Sequence, residues 1–209
     1  MHHISWLPFM VTSLLIIITP GQDMVLVMSR TLNGGTRAGL ITAAGVSAGL
    51  IVHTVLATLG LGVFLQASEW LFTGLKIFGA LYLLYLGVSL LRLSGSLALT
   101  SNHGETESGL RTFVQGVLSN ISNPKIALFY LAFLPQFVAT NATHPMLSVF
   151  VLGIAFACLT FLVKGPVAVF AGLLSNWVRQ NPHFLKRMYQ ASGIVMIGLG
   201  LKLALERRG

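Results

Sequence analysis

Apolar residues fill this chain in long blocks, and short polar clusters set the blocks apart. Blocks run from about Trp6 to Met28, Gly39 to Leu65 and Trp70 to Leu91, then from Thr112 to Phe137, Pro145 to Trp177 and Met188 to Leu205. A hydrocarbon core about 30 Å thick takes a helix of ~20 residues, so each block predicts one membrane-spanning helix. The expected fold is an all-α membrane protein of six transmembrane helices. Asn33-Gly34-Gly35 marks the first turn. The link Gln66-Ala67-Ser68-Glu69 is so short that the second and third helices are expected to be antiparallel neighbours. Gly45 and Gly49 suit close helix packing, because small residues let backbones approach. The Ser-, Thr- and Gly-rich segment Ser94 to Glu107 reads as a mobile loop, and Gly165-Pro166 as a bend in the fifth helix.

Two of the blocks are interrupted, and the interruptions organise the rest. The first is Thr19-Pro20-Gly21-Gln22-Asp23, the second Ser122-Asn123-Pro124-Lys125. Proline removes a backbone donor and clashes with the preceding turn, while glycine adds freedom. Asp23 then puts a carboxylate where hydrocarbon is expected, which is costly unless it meets protein, water or a partner. Six spans divide into three and three, the second triplet inverted relative to the first. The halves are repeat one over about 6–92, a loop over 93–111 and repeat two over about 112–206, in one transmembrane domain covering 1–209. The breaks fall in equivalent places, and Gly79 to Gly87 is loosely echoed by Gly193 to Gly200. Broken helices in two inverted repeats predict a binding site near the bilayer midplane.

Flanking charge orients the spans. With the amino terminus outside, the inner links hold Arg30, Arg37, Arg92, Arg111, Arg179, Lys186 and Arg187, and the outer segments hold only Arg207 and Arg208. The excess of basic residues on the inner side then places both termini outside.

Composition narrows the class further. Charged residues make up 9% of the 209 and apolar ones 55%, with a mean hydropathy of +0.82; soluble domains carry roughly a quarter charged residues. No separate soluble domain fits. The net charge of +8 lies between the apolar blocks, so it reflects membrane topology and not a nucleic-acid surface. The single cysteine, Cys158, excludes an intramolecular disulfide and a CxxC redox pair. The start has no Lys or Arg ahead of its apolar block and no cleavage signal after it, so the first helix is expected to be retained. Paired carboxylates, metal-spaced histidines and a nucleotide-binding Gly-Lys-Ser/Thr pattern are all missing from the sequence. An enzyme, a metal and a cofactor are therefore not expected, and any transport would use ion gradients or simple facilitation.

Candidate site residues cluster at the breaks. Helix termini freed at Pro20-Gly21 can bind the charged ends of a zwitterion. Asp23 there is either a proton-exchanging or ammonium-binding carboxylate, or a structural cap or salt-bridge partner of a basic residue. Lys125 either pairs with Asp23 or holds a carboxylate, unless it snorkels to the headgroups. Asn123 and Pro124 shape their break and free carbonyls that can coordinate an ammonium. Gln22 follows its break directly and is a further candidate for substrate contact. His53 is either a proton relay or a buried histidine bonded to a neighbouring helix. Tyr82 and Tyr85 share one helix face, suited to closing over a substrate or to packing. Lys164 reads as the inner end of the fifth span, and Lys76 and Lys202 as snorkelling residues near outer ends. Trp6, Trp70 and Trp177 read as interfacial anchors.

Three stretches together resemble the LysE/RhtB family of bacterial amino-acid exporters. The first is Thr19-Pro20-Gly21-Gln22-Asp23-Met24, followed by Ser29-Arg30 and a Gly-rich turn through Arg37-Ala38-Gly39; the second is the run from Gly79 through Tyr82 and Tyr85 to Gly87. The third begins at Asn123-Pro124-Lys125 and runs to Leu134-Pro135-Gln136-Phe137. Two positions depart from the family pattern. Gln22 stands where a second proline is usual, and Leu50 stands ahead of His53 where many members carry an acidic residue. The resemblance implies a secondary transporter that exports amino acids or similar small metabolites across the bacterial inner membrane, by proton antiport. Its partners are then substrate, protons and lipid; the charge pattern puts both termini on the periplasmic side and gives no nucleic-acid surface. Small-residue faces permit a homodimer without requiring one. The rival readings are an accessory subunit used for assembly, and a membrane-embedded redox or transferase enzyme on the same scaffold.

Overall fold

Hydrocarbon gives backbone amides no hydrogen-bond partner, so an apolar block satisfies itself by coiling into a helix. In the computed structural model the described residues are 4–66, 69–92, 108–139, 141–175, 177 and 181–205. Among them stand seven α-helices, here α1 (Trp6–Ile18), α2 (Gln22–Gln66), α3 (Glu69–Arg92), α4 (Gly109–Ile121), α5 (Pro124–Leu128), α6 (Pro145–Leu173) and α7 (Pro182–Leu205). A π-helical turn, Phe129–Phe133, and a 3₁₀ turn, Leu134–Phe137, continue α5. No strand occurs among the described residues beyond one isolated bridge, Ile4 to Val138, which ties the chain's start to the end of that turn.

The first turn is tighter than Asn33-Gly34-Gly35 suggests. Helical structure runs up to it and resumes after it, with Gly35 alone outside the helical region at φ 79° and ψ 175°. The chain folds back there: a Cβ on Gly39 would lie 1.9 Å from Thr31 Oγ1. That backbone region is open essentially only to glycine, at a cost of about 1–3 kcal/mol for other residues. Gly35→Ala is therefore expected to lower the thermal midpoint in detergent. Gly74→Ala, which meets nothing within 4 Å on α3, should leave it unchanged or raise it, since alanine is the better helix former.

Both predicted breaks are present. α1 and α4 are each 13 residues long, and each is stopped by its polar cluster. The α4–α5 junction turns the chain by 50°. There Asn123 caps α5, its Oδ1 accepting from Lys125 N at 3.1 Å, with Pro124 at the first helical position, where its missing N–H is harmless. α4 begins at Gly109, capped by Ser108, a few residues before the expected Thr112. α6 passes Pro166 as one helix, and α7 starts at Pro182, ahead of the expected Met188.

Glycine sets the closest helix contacts. A Cβ on Gly45 would stand 2.2 Å from Phe113 O, and one on Gly116 2.7 Å from Thr42 O, so α2 and α4 meet backbone to backbone as Gly45 and Gly49 predicted. The Gly79–Gly87 and Gly193–Gly200 runs pack on each other: a Cβ on Gly87 would lie 2.8 Å from Gly193 O, and one on Gly200 3.0 Å from Ala80 O. α6 lies along α2, with Gly153 against Thr54 and Gly172 against Thr36. The main core gathers Phe9, Leu50, Phe129, Tyr130 and Phe156.

The outer surface is apolar. Leu7, Leu162, Leu173 and Ile194 are 65–76% exposed, while Asp23 and Lys164 are buried. Water would not tolerate so continuous an apolar exterior, whereas lipid would. Three helical stretches, Gln22–Gly60, Pro145–Leu173 and Lys186–Leu205, are long and apolar enough to cross a membrane, and the bent pair Gly109–Ile121 with Pro124–Phe137 makes a fourth if taken as one span. The expected loop from Ser94 to Glu107, the link residues Ala67 and Ser68, Arg179, Arg207 and Arg208 lie outside the described residues.

Candidate functional site

The break after α1 leaves two helix ends side by side. Thr19 closes α1, its N–H and its hydroxyl both directed to Leu15 O. α2 then starts at Gln22, and Asp23 sits in its first turn. A helix amino terminus carries unpaired N–H groups and partial positive charge, so a carboxylate is favoured there. A helix carboxyl terminus is the reverse and favours a cation.

Lysines fill the complementary places. Lys125 Nζ donates to Ile16 O at 3.1 Å and to Thr19 O at 3.0 Å, the exposed carbonyls at the end of α1. Lys164 Nζ, from the middle of α6, donates to Asp23 Oδ2 at 3.3 Å. Asn120 Nδ2 donates to the same oxygen at 2.8 Å, and Ser119 Oγ reaches Asp23 Oδ1 at 3.5 Å. Asp23 is 2% exposed, Lys164 4% and Lys125 9%. Charges so deeply buried persist only when ion pairing and hydrogen bonds offset their lost hydration. Both breaks thus meet: a Cβ on Gly21 would lie 3.0 Å from Lys125 Nζ, so a larger residue there would push on the ammonium.

A second layer stands behind Asn120. His53 Nε2 lies 3.1 Å from Asn120 O, and since a carbonyl only accepts, that ring nitrogen carries the hydrogen. The imidazole stacks on Tyr130 at a centroid distance of 5.5 Å. Tyr130 Oη in turn lies 3.0 Å from Thr54 Oγ1 and 3.3 Å from Gly153 O. His53 is therefore joined to Asp23 through one residue, Asn120. Asn120 Oδ1 is buried without a hydrogen-bond partner among the described residues, an acceptor that a bound donor would satisfy.

The structure sorts the predicted residues. Pro20, Gly21, Asp23, Asn123 and Lys125 meet at the two breaks, with His53 one residue away. Gln22 and Pro124 are exposed, so neither side chain belongs to the buried cluster. Tyr82 is half-buried on α3, and its ring contact is with Tyr85 at 6.1 Å. Two readings are corrected. The ion pair with Asp23 is made by Lys164 and not by Lys125, whose ammonium the carbonyls of α1 hold. Lys164, read only as a span end, is buried within α6 and carries the ion pair. Lys164, Asn120 and Ser119 went unpredicted as site residues. The available signal was Ser119-Asn120 one turn before a break, and a lysine inside an otherwise apolar stretch from Pro145 to Leu173. Among the described residues no cluster of three His, Cys, Asp or Glu side chains stands ready for a metal.

Comparison with known proteins adds an independent line. The family model described as LysE type translocator matches residues 14–207. An uncharacterized membrane protein of Bacillus subtilis is 33% identical over 212 residues, covering 97% of this chain and 99% of its own. A homoserine/homoserine lactone efflux protein of Salmonella typhimurium is 30% identical over 203 residues, covering 97% of each. An uncharacterized membrane protein of Vibrio cholerae is 32% identical over 201 residues, covering 95% of this chain and 96% of its own. No solved structure matches the chain.

Proposed function

Because the chain belongs to the LysE type translocator family, whose members are transporters and not enzymes, we propose that it exports amino acids or closely related small metabolites across the bacterial inner membrane as a proton-coupled antiporter. One observation carries the reading: a carboxylate and two ammonium groups are buried together where two broken helices meet. Groups of this kind inside apolar spans are expensive, and they mark substrate and ion pathways. The relative named for homoserine and homoserine lactone efflux supports the cargo class.

The proposed division of labour follows the charges. A substrate's ammonium group goes to Asp23 and the unpartnered Asn120 Oδ1. Its carboxylate goes to Lys125, two of whose N–H groups now hold the carbonyls of Ile16 and Thr19. Asp23, when relieved of its cargo, takes the proton, with His53 behind Asn120 as the relay. The remaining proposed contacts are the backbone at Pro20, Gly21, Asn123 and Pro124, with Gln22 and Tyr82 reached only if the helices move. For the architecture we adopt six spans in two inverted three-helix repeats, both termini periplasmic. The equal lengths of α1 and α4 before their breaks, and the packing of the two glycine runs on each other, support it.

Purified protein in liposomes tests the reading. An imposed pH gradient should drive uptake of homoserine or a similar amino acid against its own gradient, and collapse of the gradient with an uncoupler should stop it. Absence of flux across a broad amino-acid panel would reject the export reading. Flux indifferent to the uncoupler would reject the proton coupling alone.

A further inference from the structure

The whole chain has five acidic residues, Asp23, Glu69, Glu105, Glu107 and Glu206, and among the described residues Asp23 is the buried one. Two lysines, Lys125 and Lys164, are buried beside it. The buried cluster thus holds one carboxylate for two ammonium groups, and Lys164 is already on that carboxylate at 3.3 Å. The helix ends do not change the balance. The carboxyl terminus of α1 faces Lys125, while the amino terminus of α2 adds partial positive charge near Asp23.

From this balance we infer that Lys164 is a charge-selecting residue: it admits cargo with one ammonium and one carboxylate and turns away cargo with a second cationic group. The inference rests on the Asp23 cluster being the substrate site. In the unloaded protein Lys164 occupies the position that a substrate ammonium takes. On loading, the incoming ammonium shares Asp23 with Lys164, and the incoming carboxylate neutralises the surplus on Lys125. The cluster then contains two negative and three positive groups, the same net charge as before. A dibasic amino acid would raise that charge by one with no carboxylate to meet it. Like charges within several ångströms at the effective dielectric of a protein repel strongly, and among the described residues of the buried cluster Asp23 is the one carboxylate.

Lys164 differs in this from Lys125. The latter's ammonium is held by main-chain carbonyls, so its removal would weaken cargo binding of every kind. Removing the charge of Lys164 instead vacates half of Asp23's partnership, and a second substrate ammonium can take it. Selectivity, not overall flux, is therefore the diagnostic readout.

The experiment compares homoserine with lysine as cargo for the full-length protein in liposomes, using wild type, Lys164→Gln and Lys164→Arg. Wild type should transport homoserine at least about tenfold more efficiently than lysine, the ratio that an unfavourable ~1.4 kcal/mol produces. Lys164→Gln should narrow or invert that ratio, and Lys164→Arg, which keeps the charge, should preserve it. Should Lys164→Gln fail to fold, Lys164→Met, which removes the charge and keeps the length of the side chain, makes the same comparison. Equal transport of lysine and homoserine by wild type would overturn the inference while leaving export intact. A Lys164→Gln protein that loses both cargoes in equal proportion would overturn it too, since a purely structural lysine behaves that way. Transport of neither cargo by wild type would bring down the export reading and this inference with it.

Discussion

Asp23→Asn is expected to lower proton-driven export by at least about a hundredfold, because it removes the group proposed to bind the substrate ammonium and carry the proton, a loss of about 3 kcal/mol. Truncating one member of a buried ion pair also costs about 3–5 kcal/mol of stability. The substitution keeps the shape of the side chain and removes only its charge. Lys164 then remains 4% exposed with its carboxylate gone, and the protein should also melt at a lower temperature. Loss of transport through misfolding must be separated from loss of a functional group, and the double variant Asp23→Asn/Lys164→Gln does so. It removes both charges together, and a buried pair replaced as a unit is often nearly neutral for stability. The expected result is a recovered thermal midpoint with no recovered transport. Homoserine exchange across liposomes without a pH gradient divides the two proposed roles of Asp23. If the carboxylate binds the substrate ammonium, exchange is lost as well; if it only carries the proton, exchange persists while uphill transport is lost. Normal export by Asp23→Asn, with unchanged response to pH, would remove Asp23 from the mechanism.

Much of this arrangement was legible in the residues, and the parts that were not share a cause. Proline and glycine act locally, so Thr19-Pro20-Gly21 and Asn123-Pro124 announced both breaks without any knowledge of the partners across them. Small residues four apart announced a close helix contact for the same reason, though not that its partner is α4. The all-helical class also followed, because apolar blocks have one stable form in lipid, and three or four of the helical stretches are long and apolar enough to span it. Pairing between distant charges is different. Asp23 and Lys164 are 141 positions apart, and only the way α6 lies along α2 brings them together. From the sequence Lys125 was the more attractive partner, since it follows a break that matches Asp23's own. That symmetry did put Lys125 close by, but the end of α1 supplies two carbonyls that a lysine ammonium satisfies at 3.0–3.1 Å. Tyr82 was favoured for its place in a family-like run. Its helix, α3, packs chiefly on α7, and periodicity alone does not tell which neighbour a helix will have. Gln22 shows the same limit at the scale of one residue: it adjoins buried Asp23 yet faces outward, because consecutive residues on a helix point about 100° apart.

Gly45→Val is expected to prevent a stable fold, and the reason lies in what a β-carbon would meet. At Gly45 that carbon would stand 2.2 Å from Phe113 O and 3.2 Å from the Cα of Gly116. A flexible side chain can swing out of such a contact, but the carbonyl of Phe113 is fixed within α4. The two helices must therefore separate, and with them go the close contacts at Gly116 and Gly49 that hold helices together in the absence of a hydrophobic driving force. Overpacking of this kind costs about 1–3 kcal/mol, and more where backbone must move. The consequence reaches the site, because α4 also carries Ser119 and Asn120, the donors to Asp23. A Cβ on Gly49 would come within 2.8 Å of Asn120 Cβ, so Gly49→Ala should act as the milder form of the same lesion. It should leave folded protein but weaken transport through a displaced Asn120. Gly198 on α7 provides the comparison, since a Cβ there meets nothing within 4 Å; Gly198→Val should fold nearly as wild type. Size-exclusion profiles and thermal midpoints in detergent give the measurement, with Gly45→Val aggregated or sharply destabilised and Gly198→Val intact. Matching midpoints for the two variants would mean that α2 and α4 do not approach as described, and the donors to Asp23 would have to come from elsewhere.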